Sequence, residues 1–302
     1  MQTNPAFVQV THNSATAEIF QTDAVEHLQQ LPDSSVDLLV TSPPYCIGKE
    51  YESTISTKDF EKEVRRSFTE MFRVVKNGGS ICWQVGSHVT NNVIVPLDYL
   101  IFQEASKLEN LYLRNRIIWT FGHGIHANRR LSGRYETVLW FTKGNDYYFD
   151  LDPIRELQKY PGKRHYKGPN KGKFSGNPKG KNPADVWDIP NVKANHIEKT
   201  GHPCQFPVAL IKRLVESMCP IGGTVCDPYS GSGTSAVASL LTGRNFTGAE
   251  LEQRYLNIAK DRLEELKAGA IRYREDKPVM KPDMKSSVAR LPSHFEVGWK
   301  NG

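Results

Sequence analysis

The chain has 302 residues, 39 Lys and Arg against 33 Asp and Glu, a formal net charge of +6 and 38% hydrophobic residues. That length holds one large α/β domain with an inserted module, or two small domains, and the apolar content argues against global disorder. No apolar run is long enough for a helical membrane span, no signal peptide is expected at the start, and the positive excess suits a polyanionic partner.

In chain order, residues 17–20 read as a strand and 23–30 as a helix. Residues 36–40, apolar apart from Asp37, show the pattern of a strand buried on both faces. Phe60, Val64, Phe68, Phe72 and Val75 recur at helical spacing and predict a helix over 58–76, which Gly78-Gly79 ends. Strands are expected over 80–85, 117–121 and 137–141. Residues 143–200 are rich in Gly, Pro, Asn and Lys and show little periodicity. Within them, 163–181 carries Lys163, Arg164, Lys167, Lys171, Lys173, Lys179 and Lys181 with no acidic residue. Such a stretch buries too little to order itself alone, so it is either disordered or ordered on a polyanion. Regular alternation returns with a helix over 207–218, a strand over 224–226, a helix over 232–241, a strand over 245–249 and a helix over 253–266. Strands alternating with helices on both sides of an insertion imply one doubly wound, mostly parallel sheet.

The five cysteines, Cys46, Cys82, Cys204, Cys219 and Cys226, form no C-x-x-C pair and read as reduced, mostly buried thiols of a cytoplasmic protein. His202 and Cys204 lack the second paired ligand set that a zinc site needs, so no metal is expected.

Two segments carry chemistry. The first, Cys226-Asp227-Pro228-Tyr229-Ser230-Gly231-Ser232-Gly233-Thr234, joins a strand to a helix. Its glycines permit a tight turn and close approach of a ligand, but it has no Walker lysine. Asp227 ends one strand and Glu250 ends the next, where a carboxylate can hold ribose hydroxyls. The plainer reading is a tight turn beside a surface glutamate. The second segment is Thr41-Ser42-Pro43-Pro44-Tyr45, directly after the buried strand. Neither proline has an amide proton, so the carbonyls of this stiff turn are free to accept from a ligand. With the Ser42 hydroxyl and the Tyr45 ring, they suit a planar ligand bearing an amino group. The plainer reading is an edge turn with a packed tyrosine.

Together these segments resemble the catalytic and cofactor motifs of the DNA amino-methyltransferases. The order, catalytic motif first and cofactor motif second, resembles the permuted beta group of that family. Residues 31–37, Lys76-Asn77-Gly78-Gly79, 136–143 and His202-Pro203-Cys204-Gln205-Phe206-Pro207 resemble further family segments in register. The resemblance implies a Rossmann-like, seven-stranded sheet. It divides the chain into a catalytic half (1–142), an inserted target-recognition region (143–200), a cofactor-binding half (201–268) and a tail (269–302). It implies S-adenosylmethionine bound by Asp23, Asp227, Tyr229, Gly231, Gly233, Thr234 and Glu250, although Asp23 with Glu26 also reads as a helix cap. Ser42, Pro43, Pro44 and Tyr45 would engage a flipped base, and the seven basic residues of 163–181 would bind double-stranded DNA. Asn170, Asn177, Asn182 and His165 are candidates for base edges. Arg114, Arg116, Arg129, Arg130 and Arg134 form a second basic group expected to face the same groove. A cognate restriction endonuclease and a second copy of the chain are further candidate partners. Phe206 departs from the pattern, since many relatives have lysine there; Thr234 and backbone amides are candidates for its role at the cofactor's carboxylate. The serine heading the catalytic motif resembles the cytosine-N4 enzymes, whereas relatives acting on adenine N6 usually have Asp or Asn. A catalytically silent DNA-binding subunit and an RNA or small-molecule methyltransferase are the rival readings.

Overall fold

A computed structural model describes residues 7–44, 57–90, 92–122, 124, 126–157, 162–193 and 195–275. β1 (Val8–His12) and β2 (Ala15–Phe20) form a hairpin, and α1 (Ala24–Gln30) leads to β3 (Val36–Thr41). α2 (Thr57–Val74) runs directly into β4 (Val75–Val85). A small hairpin, β5 (His88–Thr90) and β6 (Val93–Val95), precedes α3 (Leu97–Ala105). Then come β7 (Leu111–Thr120), β8 (Tyr135–Lys143) and the short β9 (Val186–Asp188). The last part is α4 (Val208–Met218), β10 (Thr224–Asp227), α5 (Thr234–Leu241), β11 (Asn245–Ala249) and α6 (Gln253–Lys267).

One sheet carries nine strands in the order β1-β2-β11-β10-β3-β4-β8-β7-β9. The run from β2 to β4 is parallel, and β8 lies antiparallel between β4 and β7. The expected seven strands are therefore present as β2 to β7 in that order. β1 and β9 extend the two edges and make nine. Both were missed in the sequence: β9 has three residues, and β1 alternates buried and exposed positions too briefly to stand out. β3 is buried on both faces, as its apolar run requires. Leu38 and Val40 join the core beneath α4, α5 and α6, and Val36 and Leu39 the core beneath α2 and α3.

Two expectations need correction. The helix expected over 58–76 stops at Val74, because Val75 is fully buried and pairs with Val36 at the start of β4. The basic stretch 163–181 also closes on itself. The amide of His165 donates to the carbonyl of Lys173 at 2.9 Å, and that of Ser175 to Lys163 at 2.9 Å. Glu156 and Lys181 bridge its base. Local turn bonds order this stretch where apolar burial does not.

Candidate active site

The parallel strands deliver their carboxyl ends to one side of the sheet, and a cavity of about 730 Å³ opens there. One wall is the turn between β10 and α5. Asp227 is 1% exposed, and each of its carboxylate oxygens accepts from a protein donor. Oδ1 accepts from the Thr41 hydroxyl at 2.9 Å and the Tyr229 amide at 3.1 Å; Oδ2 accepts from the Ser235 hydroxyl at 2.6 Å. Burial pushes its carboxyl up to about 6, against the pull of those donors. The bond to Thr41 is decisive for the geometry. It ties the segment before Ser42 to the glycine turn, across a gap of 186 residues.

Gly231 and Gly233 have φ of +50° and +73°. A Cβ at Gly233 would lie 2.8 Å from the Ala259 Cβ, so this turn sits directly on α6. Gly248 does similar work unseen in the sequence: a Cβ there would lie 2.6 Å from the Asp227 carbonyl oxygen. Glu250 lines the cavity; its Oε2 accepts from the Gly231 amide at 2.9 Å and its Oε1 from the Glu252 amide at 2.8 Å. Burial raises its carboxyl above the ordinary range. His202, edge-on to Tyr255 with ring centroids 4.3 Å apart, is held neutral by burial, at about 4.

Ser42, Pro43 and Pro44 line the same cavity, as do Gln84, Glu136, Trp119 and Phe121. Gln84 donates its amide to Glu136. Trp119 is fixed by its indole N–H, which donates to the Ile189 carbonyl at 2.7 Å, and meets Phe121 edge to face. Phe206 packs beside Trp119, and its carbonyl accepts from the Thr234 hydroxyl at 3.3 Å. Trp119 and Phe121, at the end of β7, and Gln84, on β4, belong to no motif, so the sequence carries no sign of them; Glu136 and Phe206 lie in segments the sequence does single out.

Of the sequence candidates, Asp23, Ser42, Pro43, Pro44, Asp227, Tyr229, Gly231, Thr234 and Glu250 line one cavity. Asp23 also caps α1, its Oδ1 accepting from the amides of Val25 at 2.9 Å and Glu26 at 3.2 Å. Tyr229 directs its hydroxyl toward Ser67. Tyr45 and Cys46 lie outside the described residues, while Cys82, Cys219 and Cys226 are buried and Cys204 is exposed. None of the seven basic residues of 163–181 lines the cavity; Asn191, Val192 and Lys193 line it instead. Lys179 pairs with Asp152, and Lys181 pairs with Glu156. Arg114 and Arg116 do not join Arg129, Arg130 and Arg134. They lie nearer the start of β7, away from the cavity, where Arg114 binds Thr142 and Asn145 and Arg116 binds Asp98.

The family of DNA methylases matches residues 36–261. A curated relative, the type II methyltransferase M.BglII of Bacillus subtilis, is 45% identical over 243 residues, covering 80% of this chain and 67% of that protein. The DNA adenine methyltransferase YhdJ of Escherichia coli K12 is 29% identical over 251 residues, covering 82% of each chain. Among solved structures, the cytosine-N4-specific PvuII DNA methyltransferase superposes with a TM-score of 0.65 at 15% identity, over 84% of this chain and 92% of that one. A Thermus thermophilus protein described as a DNA modification methylase, solved with S-adenosyl-L-methionine, superposes with a TM-score of 0.58 at 27% identity, over 82% of this chain and 94% of that one.

Proposed function

Because the chain belongs to the DNA methylase family, we propose that it moves a methyl group from S-adenosylmethionine to the N4 amino group of a cytosine turned out of duplex DNA. The observation that carries this reading is the Thr41–Asp227 hydrogen bond. It supports the reading because it ties the segment before Ser42 to the glycine turn, and residues of both line one cavity.

The residues present fit the cofactor. The cavity volume of about 730 Å³ falls in the usual range of small-molecule sites. The positive φ of Gly231 and Gly233 shapes the tight turn whose residues Ser230, Gly231, Ser232 and Thr234 line the wall, and Glu250 offers a carboxylate for ribose hydroxyls. Gly231, Gly233 and Thr234 would face the amino-acid end, with Tyr229 and Asp23 at the cavity wall. Asp227 acts by holding the turn, since its oxygens are already engaged. When bound, S-adenosylmethionine supplies a methyl group activated by its sulfonium.

The chain's own task is to prepare the amine. An aromatic amine is a poor nucleophile because its lone pair is delocalised into the ring. Acceptors at the Ser42 hydroxyl and Pro43 carbonyl hold its protons and favour a more tetrahedral nitrogen, while the Tyr45 ring stacks on the base. No group needs to ionise for this. Positioning in the cavity supplies much of the rate.

Ser42 offers one neutral oxygen at the head of the turn, which supports cytosine as the target. Adenine N6 is the second reading, favoured by the relative named as a DNA adenine methyltransferase. Duplex DNA would lie over the cavity mouth, with Lys163, Arg164, Lys167, Lys171 and Lys173 on its phosphates and residues 143–200 as the recognition region. The name of the type II relative supports a restriction–modification setting with a cognate endonuclease. Digestion of methylated DNA to nucleosides and mass spectrometry tests the reading. N4-methylcytosine is expected; N6-methyladenine alone would overturn the choice of base, and no methylated base would overturn the activity.

A further inference from the structure

Arg262 occupies a slot in the apolar stripe of α6, among Tyr255, Leu256, Ala259, Leu263 and Leu266. It is 5% exposed. Its Nη1 donates to the Ser232 carbonyl at 2.8 Å, the Thr234 hydroxyl at 2.8 Å and the Ser232 hydroxyl at 3.3 Å. Its Nη2 is buried with no hydrogen-bond partner among the described residues. Every acceptor it meets is neutral. Glu198 and Glu265 act on it through space, and no carboxylate forms an ion pair with it among the described residues. Both Glu198 oxygens already accept from the amides of Val208 and Arg274.

A buried guanidinium that meets only neutral acceptors is costly. Its surroundings make the position worse, because it lies under the start of α5. The amides of that first turn point the same sign of charge into the same space. The N-cap there is Gly233, which has no side chain to absorb them. Two positive sources stacked beneath a cavity wall together favour an anion over them. Burial lowers the guanidinium to about 10, which still leaves it charged at neutral pH. The wall above it is Ser232 and Thr234, both on the cavity. Phe206 brings no charge to this end.

We propose that Arg262 is the counter-charge for the α-carboxylate of S-adenosylmethionine, acting through the hydroxyls of Thr234 and Ser232. It is a positioning residue: Arg262 donates to the Thr234 oxygen, which leaves the Thr234 proton for the ligand in place of the Phe206 carbonyl. The proposal rests on the cofactor site described above and assigns its charged end.

Calorimetry without DNA tests it, using S-adenosylmethionine and its decarboxylated analogue, which lacks only the anion. The wild-type chain should prefer the intact cofactor by well over tenfold. Arg262→Gln should shrink that preference at least tenfold, chiefly by weakening the intact cofactor, and Arg262→Lys should restore part of it. Thr234→Val keeps the guanidinium and should shrink the preference as well, so the relay is testable even if Arg262→Gln does not fold. A merely structural arginine would weaken both ligands alike and leave the ratio unchanged, which would overturn the proposal. A wild-type chain that binds neither ligand would instead remove the cofactor reading of the site.

Discussion

The turn at β10 and the basic hairpin within residues 163–181 are built on opposite plans. At the turn, polar groups are buried and bonded to partners far away in sequence: Asp227 to Thr41, Glu250 to Gly231, Arg262 to Ser232. In the hairpin nearly every side chain is exposed, and the bonds are local, such as His165 to Lys173 and Arg164 to Gly172. A buried network has one satisfied arrangement and loses heavily when a member is removed. An exposed cationic hairpin adjusts, and each charge contributes a small, salt-screened share. The molecule thus separates a buried polar network at the candidate site from an exposed, yielding cationic surface.

The sharpest way to break the rigid half is Asp227. Asp227→Ala orphans two buried hydroxyl donors, each costing about 1–3 kcal/mol, and the half-buried Tyr229 amide, and should lower stability by several kcal/mol while abolishing cofactor binding. Asp227→Asn keeps much of the shape and gives a cleaner reading. The folded carboxyl sits at about 6, against an ordinary 3.8. The folded state therefore holds its proton more tightly, so this group costs stability as pH rises through that window. By linkage the cost approaches about 3 kcal/mol. Urea titrations at several pH values should show wild-type stability falling relative to Asp227→Asn between about pH 4 and 6. Parallel curves across that range would contradict the burial of a charged carboxylate.

Ser42→Ala comes next. It removes one preorganised acceptor and should cost about 10²-fold in single-turnover methylation, with cofactor affinity unchanged. Equal losses in binding and turnover would place Ser42 in the cofactor's half of the cavity. Tyr45→Ala should cost more, because the turned-out base loses its stacking face.

These residues were legible in the sequence for a physical reason. Prolines and glycines at fixed spacing constrain the backbone, and a constrained backbone leaves a local trace. Gly248, Gln84, Trp119 and Arg262 leave none. Gly248 matters only because Asp227 lies across the neighbouring strand, and Arg262 reads as an ordinary polar residue on a helix until its face is known to be buried. Asp23 shows both sides: its place before α1 was legible as a cap, and the structure makes it one while setting it on the cavity wall. The sheet followed the same rule. Strands buried on both faces declared themselves, while the edge strands β1 and β9 did not.

The smallest expected effects lie in the hairpin, where they divide its charges. Lys167 and Lys171 are exposed and enter no ion pair among the described residues. Each Lys→Ala there should weaken DNA binding severalfold and lower the slope of log affinity against log salt by about 0.9. Lys179 and Lys181 are held by Asp152 and Glu156. A lysine already neutralised by a carboxylate must give up that partner to reach a phosphate, so its net gain from DNA is small. Lys179→Ala and Lys181→Ala should therefore change affinity by less than about twofold and leave the salt slope nearly unaltered. Fluorescence titrations of a labelled duplex at several salt concentrations separate the two pairs. Equal slopes for all four variants would show that the ion pairs open on DNA and that the hairpin acts as one undivided patch of charge.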